Sequence, residues 1–417
     1  MRILYFSSRE CWPLNTGARL RDFHLASQLA RRGEVVYLGL RNPKDPPPVD
    51  PPVDAGFAGF QLVEKNASFS LPNLVRGFAG PVPVTLLNNQ SSPARAALVQ
   101  LLRNRKFDSA QIEGVHLLPY VDVIRQESPG TAIIADWHNI ESEIMWRYSD
   151  AANPLKKLYA RRTARLIEEM ETILLRRSDA HTMASQREKA TLGQRVPGAV
   201  IHVIGNGVDV AAHASDQIDA AWTRAGGPEP VGGNVLFVGS MDYHANIHAA
   251  LQFGREVWPM IRNRLPGSQF LVVGRNPSDA VKALAADPGI RVTGTVDDVR
   301  AFYYKALAVV VPLRIGSGTR LKILEAMAAG VPVVSTALGA EGIDVTDEKD
   351  ILIAESPDDF VAAITRLAAS PDLARSLGDS GRALVASHYD WPALGEKLFR
   401  VHCETAERVR GRATLKT

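Results

Sequence analysis

Residues 312–334 combine the side chains and the spacing that bind a phosphate group. An apolar run, residues 307–313, leads into a turn that contains Gly316, Ser317 and Gly318, and a helical pattern begins after it. The first backbone N–H groups of a helix have no partner within the helix, and together with the helix dipole they favour an anion. Glycines let that anion approach the main chain. The pattern of strand, glycine turn and helix therefore predicts an anion site.

Charged side chains follow this turn. Arg320 and Lys322 place two cations in the first helical turn, where the dipole disfavours them, so an external anion is the natural explanation. Glu325 lies one turn later on an apolar helix, and it needs a partner: either Lys322 or the hydroxyls of a bound ribose. The alternative is an ordinary helix with a glycine entry and an internal ion pair. The combination favours a nucleotide-diphosphate site, and we expect Thr319 and Leu321 to line it as well.

Polar clusters also follow strands in the first half of the chain. Gly17 and Arg19 lie in the loop after the strand at residues 3–6, and ligands bind at such loops in open parallel sheets. A plain helix entry is the alternative there. His138 follows the strand at residues 132–135 and is surrounded in sequence by Asp136, Asn139 and Glu141, which makes it a candidate site residue. The alternative is a loop histidine with a purely structural hydrogen bond.

Composition limits the classes of protein to consider. The chain has 417 residues, of which 46% are hydrophobic and 22% charged, and a net charge of only +3. That length predicts two domains, and two domains imply a cleft between them. The small net charge gives no indication of a nucleic-acid partner. Cys11 and Cys403 show no metal or disulfide spacing, which predicts a cytoplasmic protein without a bound metal.

Short apolar segments alternate with helical patterns along the whole chain. We expect a first set of strands at residues 3–6, 35–40, 109–112, 132–135, 180–183 and 201–204. A second set is expected at residues 235–238, 270–273, 290–292, 308–311, 333–334 and 351–353. This alternation predicts an α/β fold with two doubly wound, Rossmann-like domains.

A long helical pattern over residues 156–177 is rich in basic side chains. Lysines and arginines alternate there with the acidic residues Glu168, Glu169 and Glu171. Most charged helices are simply solvated. A basic amphipathic helix can also lie on an anionic membrane surface, so peripheral contact with the inner face of a membrane is a second hypothesis for this segment.

Several motifs of the second half resemble those of a known enzyme family. They are residues 204–209 (IGNGVD), 237–242 (FVGSMD) with Asn246, 271–274 (LVVG), 292–296 (VTGTV), 316–334 with the glycine turn and Glu325, and 339–342 (GAEG). The chain resembles the GT-B glycosyltransferases, and within them glycosyltransferase family 4 (group 1). It is most similar there to bacterial sugar transferases associated with exopolysaccharide synthesis.

The resemblance implies a fold and a separate role for each domain. It implies GT-B architecture, in which two Rossmann-like domains face each other across a cleft. The acceptor-side domain is expected at 1–205, a linker at 206–233 and the donor domain at 234–390. A C-terminal helix at 391–417 is expected to pack back toward the first domain. It also implies a nucleotide-diphosphate sugar as co-substrate, a saccharide or lipid-linked acceptor, retention of anomeric configuration, and no cofactor or metal.

The resemblance also assigns roles to individual residues. Glu325 would hold the donor ribose, while Gly274 and Val296 would line the base pocket. Gly17, with Arg19 nearby, would lie on the diphosphate or acceptor side, and His138 beside the transferred sugar.

The sequence departs from the family pattern at three positions. Ser240 and Ala245 stand where the family usually has an arginine and a lysine that contact the diphosphate, and Ser317 replaces an acid. Departure of a diphosphate builds negative charge, which fixed cations and a helix N-terminus stabilise. We therefore expect Arg320 and Lys322 to supply the missing charges as catalytic residues.

Two other functions fit the same architecture. A nucleotide-sugar epimerase would use the diphosphate site without an acceptor, with Asp136, His138 and Glu141 as acid and base. A non-catalytic sugar-nucleotide-binding subunit would tolerate the loss of cations at Ser240 and Ala245. A dehydrogenase is disfavoured because the first βα loop has only Gly17 where a dinucleotide fingerprint has three glycines.

Overall fold

The computed structural model describes residues 1–14, 16–65, 76–77, 80–151, 153–213, 233–315 and 320–414. The chain divides into two compact units. Unit 1 comprises Met1–Gly205 together with Leu394–Thr417, and unit 2 comprises Asn206–Ala393. Of the predicted linker, residues 214–232 lie outside the described ranges. Residues 206–213 belong to unit 2, where Val208 forms a β-bridge with Asp390.

Unit 1 is built on a seven-stranded parallel sheet in the order β3-β2-β1-β4-β5-β6-β7. The predicted strands of the first half are confirmed. The strand that sequence reasoning missed is β3, a half-exposed edge strand whose residues lack the continuous apolar run of a buried parallel strand. The strands are β1 Arg2–Ser7, β2 Glu34–Arg41, β3 Gly59–Glu64, β4 Ser109–Glu113, β5 Ala132–Trp137, β6 Ala180–Met183 and β7 Ile201–Val203.

The helices of unit 1 cover both faces of this sheet, as buried parallel strands require. They are α1 Gly17–Ala30, α2 Val84–Leu87, α3 Ser92–Asn104, α4 Leu118–Glu127, α5 Glu141–Ala151, α6 Pro154–Arg177 and α7 Gln186–Arg195. Leu4, Phe6 and Ile112 are among the fully buried residues of the core between sheet and helices. Thr16 caps α1 by accepting from the backbone N–H of Arg19, so this helix begins directly after the loop that follows β1.

Unit 2 is built on a six-stranded parallel sheet in the order β10-β9-β8-β11-β12-β13. All predicted strands of the second half are confirmed. They are β8 Asn234–Val238, β9 Gln269–Val273, β10 Ile290–Gly294, β11 Ala306–Val311, β12 Val333–Ser335 and β13 Leu352–Ile353. The helices are α8 His244–Gln252, α9 Trp258–Arg264, α10 Asp279–Lys282, α11 Arg300–Tyr304, α12 Leu321–Ala328, α13 Pro357–Ala369, α14 Pro371–His388 and α15 Trp391–Thr414, which continues from Leu394 into unit 1.

Each sheet has one point where the strand order reverses. In unit 1 this point lies between β1 and β4, and in unit 2 between β8 and β11. Ligands of open α/β sheets bind outside the carboxyl ends of the strands at such a switch point. Two doubly wound Rossmann-like sheets thus confirm the predicted fold class, and they locate the two places where site residues should gather.

Within the described ranges, every helix is too short or too polar to pass through a lipid bilayer.

Candidate functional site

The start of α12 carries the cations that the sequence singled out. The helix begins at Leu321, and Arg320 is its N-cap residue, so Arg320 lies just before the first turn and not inside it. Arg320 is only 7% exposed. The predicted turn residues Gly316, Ser317, Gly318 and Thr319 lie outside the described residues. What the structure describes is therefore the cationic part of the predicted anion site.

Lys322 reaches across the switch point to the neighbouring strand and helix. Its Nζ donates to Oδ1 of Asn246 at 2.9 Å and lies 4.4 Å from the ring centroid of Phe237 in β8. Burial, and after it the charge of Arg320, lowers the pKa of Lys322 to about 7. An anion bound here would offset both effects, because it would pair with the ammonium and shield it from Arg320.

Glu325 has a partner that the sequence did not suggest. The hydroxyl of Tyr303 in α11 donates to Oε2 of Glu325 at 2.8 Å. The expected ion pair with Lys322 is not what the structure shows, because the ammonium turns to Asn246 instead. Burial raises the pKa of Glu325, although the hydrogen bond from Tyr303 opposes this. One carboxylate oxygen is thus tied to Tyr303, and the predicted ribose contact stays a prediction.

Ser240 follows β8 and meets an arginine that sequence reasoning missed. The Nε of Arg275, which follows β9, donates to Oγ of Ser240 at 2.9 Å, and Ser240 in turn donates to Asp242. Arg275 also lies 3.7 Å from Asp242 in an exposed ion pair. A guanidinium that follows the adjacent strand thus contacts Ser240, the residue that stands where the family pattern has an arginine. The signal was present in the sequence, since Arg275 directly follows Gly274.

Gly274 and Gly239 require their small size because β8 and β9 end side by side. A Cβ atom on Gly274 would lie 1.8 Å from the carbonyl oxygen of Gly239. The Gly239 N–H also donates to the Val273 carbonyl at 3.0 Å. Val296 follows β10 and packs against the core of unit 2, while Leu321 opens α12. Apart from Glu325, which lies within α12, the predicted donor residues that are described therefore follow strands or open a helix at one edge of one sheet.

His138 in unit 1 lies between two buried carboxylates. Its Nε2 is 2.9 Å from Oδ1 of Asp22 in α1 and 2.9 Å from Oε2 of Glu113 at the end of β4. Asp22 also accepts a hydrogen bond from Ser7 Oγ at 2.7 Å. Sequence reasoning placed Asp136, Asn139 and Glu141 around His138. In the structure its direct partners are Asp22 and Glu113, which are remote in sequence and meet at the switch point between β1 and β4, while Asp136 and Glu141 act on it through their charge.

The charges around His138 perturb its titration and that of its partners. Burial lowers the pKa of His138, but the Asp22 carboxylate and the hydrogen bonds outweigh it, and the pKa is about 9. Burial and the charges of Asp136 and Asp22 raise the pKa of Glu113 to about 7, although His138 opposes this. Near neutral pH, this cluster therefore combines an imidazolium with a carboxyl group that is partly protonated.

Asp136 has a structural partner. Burial would raise its pKa, but the charge of Arg21 and its hydrogen bonds lower it to about 2. Arg21 donates to both carboxylate oxygens, from Nε at 2.9 Å and from a terminal nitrogen at 2.8 Å. It also donates to the carbonyls of Ile204 and Gly205. Asp136 is thus committed to holding α1, β5 and the end of β7 together, and it is a poor candidate for acid or base catalysis.

Gly17 and Arg19 lie in the first turn of α1. Gly17 is exposed, and Arg19 donates to the carbonyl of Trp12 at 3.5 Å. Because α1 follows β1, its start lies at the same edge of the sheet as Glu113 and His138. The predicted ligand contact of both residues stays a prediction.

Asp22, Glu113 and His138 are also the side chains among the described residues that come close enough to share a metal ion. Their candidate ligand atoms lie within 4.8 Å of one another. However, each already has hydrogen-bonding or ion-pair partners, and the neighbouring cations Arg9 and Arg21 offset the carboxylate charge. The chemistry of this cluster therefore fits proton sharing better than it fits a metal.

Models of known protein families match both halves of the chain. Residues 23–212 match the model of Glycosyltransferase Family 4, and residues 232–370 match the model of Glycosyl transferases group 1.

Curated relatives are more distant and cover part of the chain. The chain is 26% identical over 236 residues to a phosphatidyl-myo-inositol mannosyltransferase of Propionibacterium freudenreichii, covering 55% of this chain and 57% of the relative. It is 32% identical over 155 residues to a GDP-mannose-dependent alpha-(1-6)-phosphatidylinositol monomannoside mannosyltransferase of Mycobacterium tuberculosis, covering 34% of this chain and 40% of the relative. The chain thus spans about half the length of the curated relatives it matches.

Solved structures share the fold over nearly the whole chain. Sucrose-phosphate synthase from Thermosynechococcus elongatus superposes with a TM-score of 0.69 at 18% identity, covering 97% of this chain and 99% of the other. HepE of Anabaena, solved in complex with UDP and glucose, has a TM-score of 0.65 at 14% identity, with 97% and 100% covered.

Proposed function

Because this chain belongs to the glycosyltransferases of family 4, group 1, with a GT-B fold, we propose that it transfers a sugar from a nucleotide-diphosphate sugar to a saccharide or lipid-linked saccharide acceptor. The proposed transfer retains the anomeric configuration and needs neither a metal nor a cofactor. Its proposed setting is the synthesis of an exopolysaccharide or another cell-envelope glycan in the cytoplasm.

The observation that carries the proposal is the pair of cations at the switch point of unit 2. Arg320 and Lys322 are close enough for the first to lower the pKa of the second, and Arg320 is buried while Lys322 is half-buried. Within the described ranges, no carboxylate forms an ion pair with the Lys322 ammonium, which binds the neutral Asn246 instead. The Lys322 ammonium, which lies close to a second cation, would be stabilised by an anion bound beside it. A diphosphate that leaves with increasing negative charge is such an anion.

The proposed leaving-group chemistry follows from this placement. As the bond between the sugar carbon and the diphosphate oxygen breaks, charge moves onto the diphosphate. Arg320, Lys322 and the first N–H groups of α12 would stabilise it, and this would lower the barrier because the interactions strengthen as the charge develops. Arg275 and Ser240 would contact the same diphosphate from the ends of β8 and β9. Glu325 would bind the ribose with the carboxylate oxygen that Tyr303 leaves open.

Unit 1 supplies the second part of the proposal. His138, held by Asp22 and Glu113, would lie beside the transferred sugar and would bind its hydroxyls or the acceptor hydroxyl. Gly17 and Arg19 would complete this side. The names of the relatives support a lipid-linked acceptor and a nucleotide-sugar donor, since they include a phosphatidyl-myo-inositol mannosyltransferase and a GDP-mannose-dependent phosphatidylinositol monomannoside mannosyltransferase.

A donor screen followed by a turnover assay tests the proposal. Thermal shift with UDP-, GDP- and dTDP-linked sugars should single out one donor, because a ligand that binds only the folded state raises its unfolding temperature. That donor is then incubated alone and with lipid-linked saccharides, and its sugar is followed by NMR. Transfer or slow hydrolysis supports the proposal. Scrambling of the sugar without acceptor identifies an epimerase, and binding without any turnover identifies a non-catalytic subunit.

The proposal includes peripheral contact with an anionic membrane, for which a specific surface is available. Tyr148 near the end of α5 is 49% exposed, and Leu158 near the start of α6 is 74% exposed. Lys156 and Arg161 are exposed in the same part of α6. Apolar side chains flanked by cations are the composition that binds the interface of an anionic bilayer.

A further inference from the structure

A continuous series of buried hydrogen bonds leads from the C-terminal helix to His138. Nε2 of His402 in α15 lies 2.9 Å from Oε1 of Gln111, and Nε2 of Gln111 donates to Oε1 of Glu113 at 2.7 Å. Oε2 of Glu113 lies 2.9 Å from Nε2 of His138. At the far end, Ser109 Oγ lies 2.8 Å from Nδ1 of His402. All these residues except His138 are at most 1% exposed.

The strand β4 organises this series through its alternation. Ser109, Gln111 and Glu113 are every second residue of the strand and therefore point to one face of the sheet. Ala110 and Ile112 point to the other face and belong to the apolar core. Three polar side chains in a row on a buried strand are costly unless each has a partner. His402 supplies the partner for two of them.

The direction of each hydrogen bond is determined by chemistry. Burial lowers the pKa of His402 to about 3, so this imidazole is neutral. The amide nitrogen of Gln111 is occupied as a donor to Glu113, so its oxygen faces His402, and Nε2 of His402 must carry the hydrogen. Nδ1 of His402 is then an acceptor, and Ser109 donates to it. While Glu113 is ionised, the series therefore has one consistent arrangement, in which the Gln111 amide donates to the Oε1 atom of Glu113.

We propose that His402 and Gln111 are positioning residues for His138, which fix the orientation of the Glu113 carboxylate so that its second oxygen holds the imidazole in place. This inference rests on the role of His138 proposed above. Gln111 locks one oxygen of Glu113, and a planar carboxylate with one oxygen locked has the other aimed in a fixed direction. A structural network without this role would stabilise the fold but leave the properties of His138 unchanged.

Several titratable or charged groups besides Glu113 act on His138 and must be considered in any test. Those that face the cluster from the packed elements are Arg9 after β1, Asp22 in α1, His116 after β4, Asp136 in β5 and Glu141 in α5. None of them is changed by substitutions at positions 111 and 402. Asp136 also acts on His402, so a shift in the titration of His138 is assigned to Glu113 from Gln111→Met, which contacts Glu113 directly.

The test measures His138 directly and does not need turnover. NMR with labelled histidine follows the imidazole titration in the wild type and in His402→Leu, Gln111→Met and His402→Gln, and His138→Gln assigns the signal. Gln111→Met removes the donor to Oε1, and His402→Leu removes the group that orients this donor. Both destabilise the Glu113 carboxylate, so the pKa of His138 should fall by about one pH unit in Gln111→Met and by less in His402→Leu. His402→Gln keeps an amide donor and should recover part of the shift. Where donor turnover is measurable, kcat should fall about tenfold, and donor KM should stay unchanged.

The matched control is Thr405→Val, one turn from His402 on the same helix. Thr405 is 1% exposed, and its hydroxyl donates to the Val401 carbonyl, outside the series. It should leave the titration of His138 unchanged. An unchanged titration in folded Gln111→Met overturns the inference, and this variant carries the test even if His402→Leu fails to fold. If the enzyme proves inactive on all donors, the titration still decides this point separately from the proposed function.

Discussion

Lys322 donates from Nζ to Oδ1 of Asn246 at 2.9 Å, and the same amide donates from Nδ2 to the Ser240 carbonyl at 2.9 Å. Asn246 thus links the start of α12 to the loop after β8, across the strand order reversal of unit 2. The ammonium is held in place by a neutral group. This contact orients the charge without cancelling it, which a carboxylate partner would do. The half-buried ammonium is thus oriented toward the switch point, and its response to ligand and pH can be measured.

Replacing either cation with alanine should abolish most of the turnover. Arg320→Ala and Lys322→Ala each remove a positive charge that would stabilise the leaving diphosphate, so kcat should fall on the order of 10²-fold or more. Steady-state kinetics measure the loss, and circular dichroism checks the fold. Lys282→Ala removes an exposed cation of the same unit, which pairs with Asp279, and should have no effect. Wild-type turnover in either site variant would mean that the diphosphate is held elsewhere.

Binding of a nucleoside diphosphate should weaken as the pH rises. The pKa of Lys322 is about 7 without ligand, and a bound anion raises it, so binding takes up a proton. The terminal phosphate of the nucleotide titrates at roughly pH 6, so it is already ionised at the higher pH values of this experiment and does not cause the change in affinity. Between pH 7.5 and 9, the affinity for UDP or GDP should therefore fall up to tenfold per pH unit.

Isothermal titration in buffers of different ionisation enthalpy counts the proton that is taken up. Lys322→Gln keeps a side-chain donor but cannot titrate, so it serves as the control and should bind with the same affinity across this interval. A wild-type affinity that does not change from pH 7.5 to 9 would show that Lys322 does not contact the diphosphate.

Variants of Glu325 and Tyr303 distinguish a ligand-binding role of the Glu325 carboxylate from a structural role. Glu325→Ala should weaken nucleotide binding about tenfold or more and reduce kcat less, because a ribose contact acts on the bound donor and on the transition state alike. Tyr303→Phe removes only the hydroxyl that donates to Oε2 at 2.8 Å and should leave most of the affinity. Calorimetry with the nucleotide measures both. Unchanged affinity in Glu325→Ala refutes the ribose role.

Arg21 and Asp136 should contribute strongly to stability. Arg21 is 1% exposed and its side chain holds Asp136 with two hydrogen bonds, so Arg21→Met leaves a buried carboxylate without its cation, at a cost of about 3 to 5 kcal/mol. The pKa of Asp136 is lowered to about 2 from 3.8, so its stabilising effect is present above pH 4 and is lost as the pH falls toward 2. Urea unfolding at pH 7 measures the difference. Arg103→Met breaks an exposed pair with Glu127 and is the control, with little expected effect.

Membrane contact should depend on apolar and basic residues of α5 and α6. Tyr148→Ser combined with Leu158→Ser removes the exposed apolar side chains, and Lys156→Glu combined with Arg161→Glu reverses two charges. Each pair should reduce sedimentation with phosphatidylglycerol vesicles several-fold, and only the second should change the salt dependence. Val53→Ser, a fully exposed apolar residue of unit 1 outside these helices, is the control. Equal sedimentation of all variants would exclude this surface.

Regular features of the fold were predictable because they depend on local pattern. Buried parallel strands are continuous apolar runs, so the strands of unit 2 were placed correctly from residues 235–238 onward. The exception, β3, is an edge strand with exposed positions and no such run. Lys322 was also identified from local sequence, because the helix dipole disfavours a cation in the first turn of a helix.

The partners of the site residues were decided by the tertiary structure. Asp22 and Glu113 are 91 positions apart in the sequence, yet both lie at His138 because β1 and β4 are adjacent in the sheet. Nothing in the spacing of these residues encodes that adjacency. From the sequence alone, Asp136 and Glu141 were expected around His138; both act on it through their charge, but its direct partners are Asp22 and Glu113. Local pattern determines which residues are strands and helices, whereas the order in which strands pair determines which side chains meet.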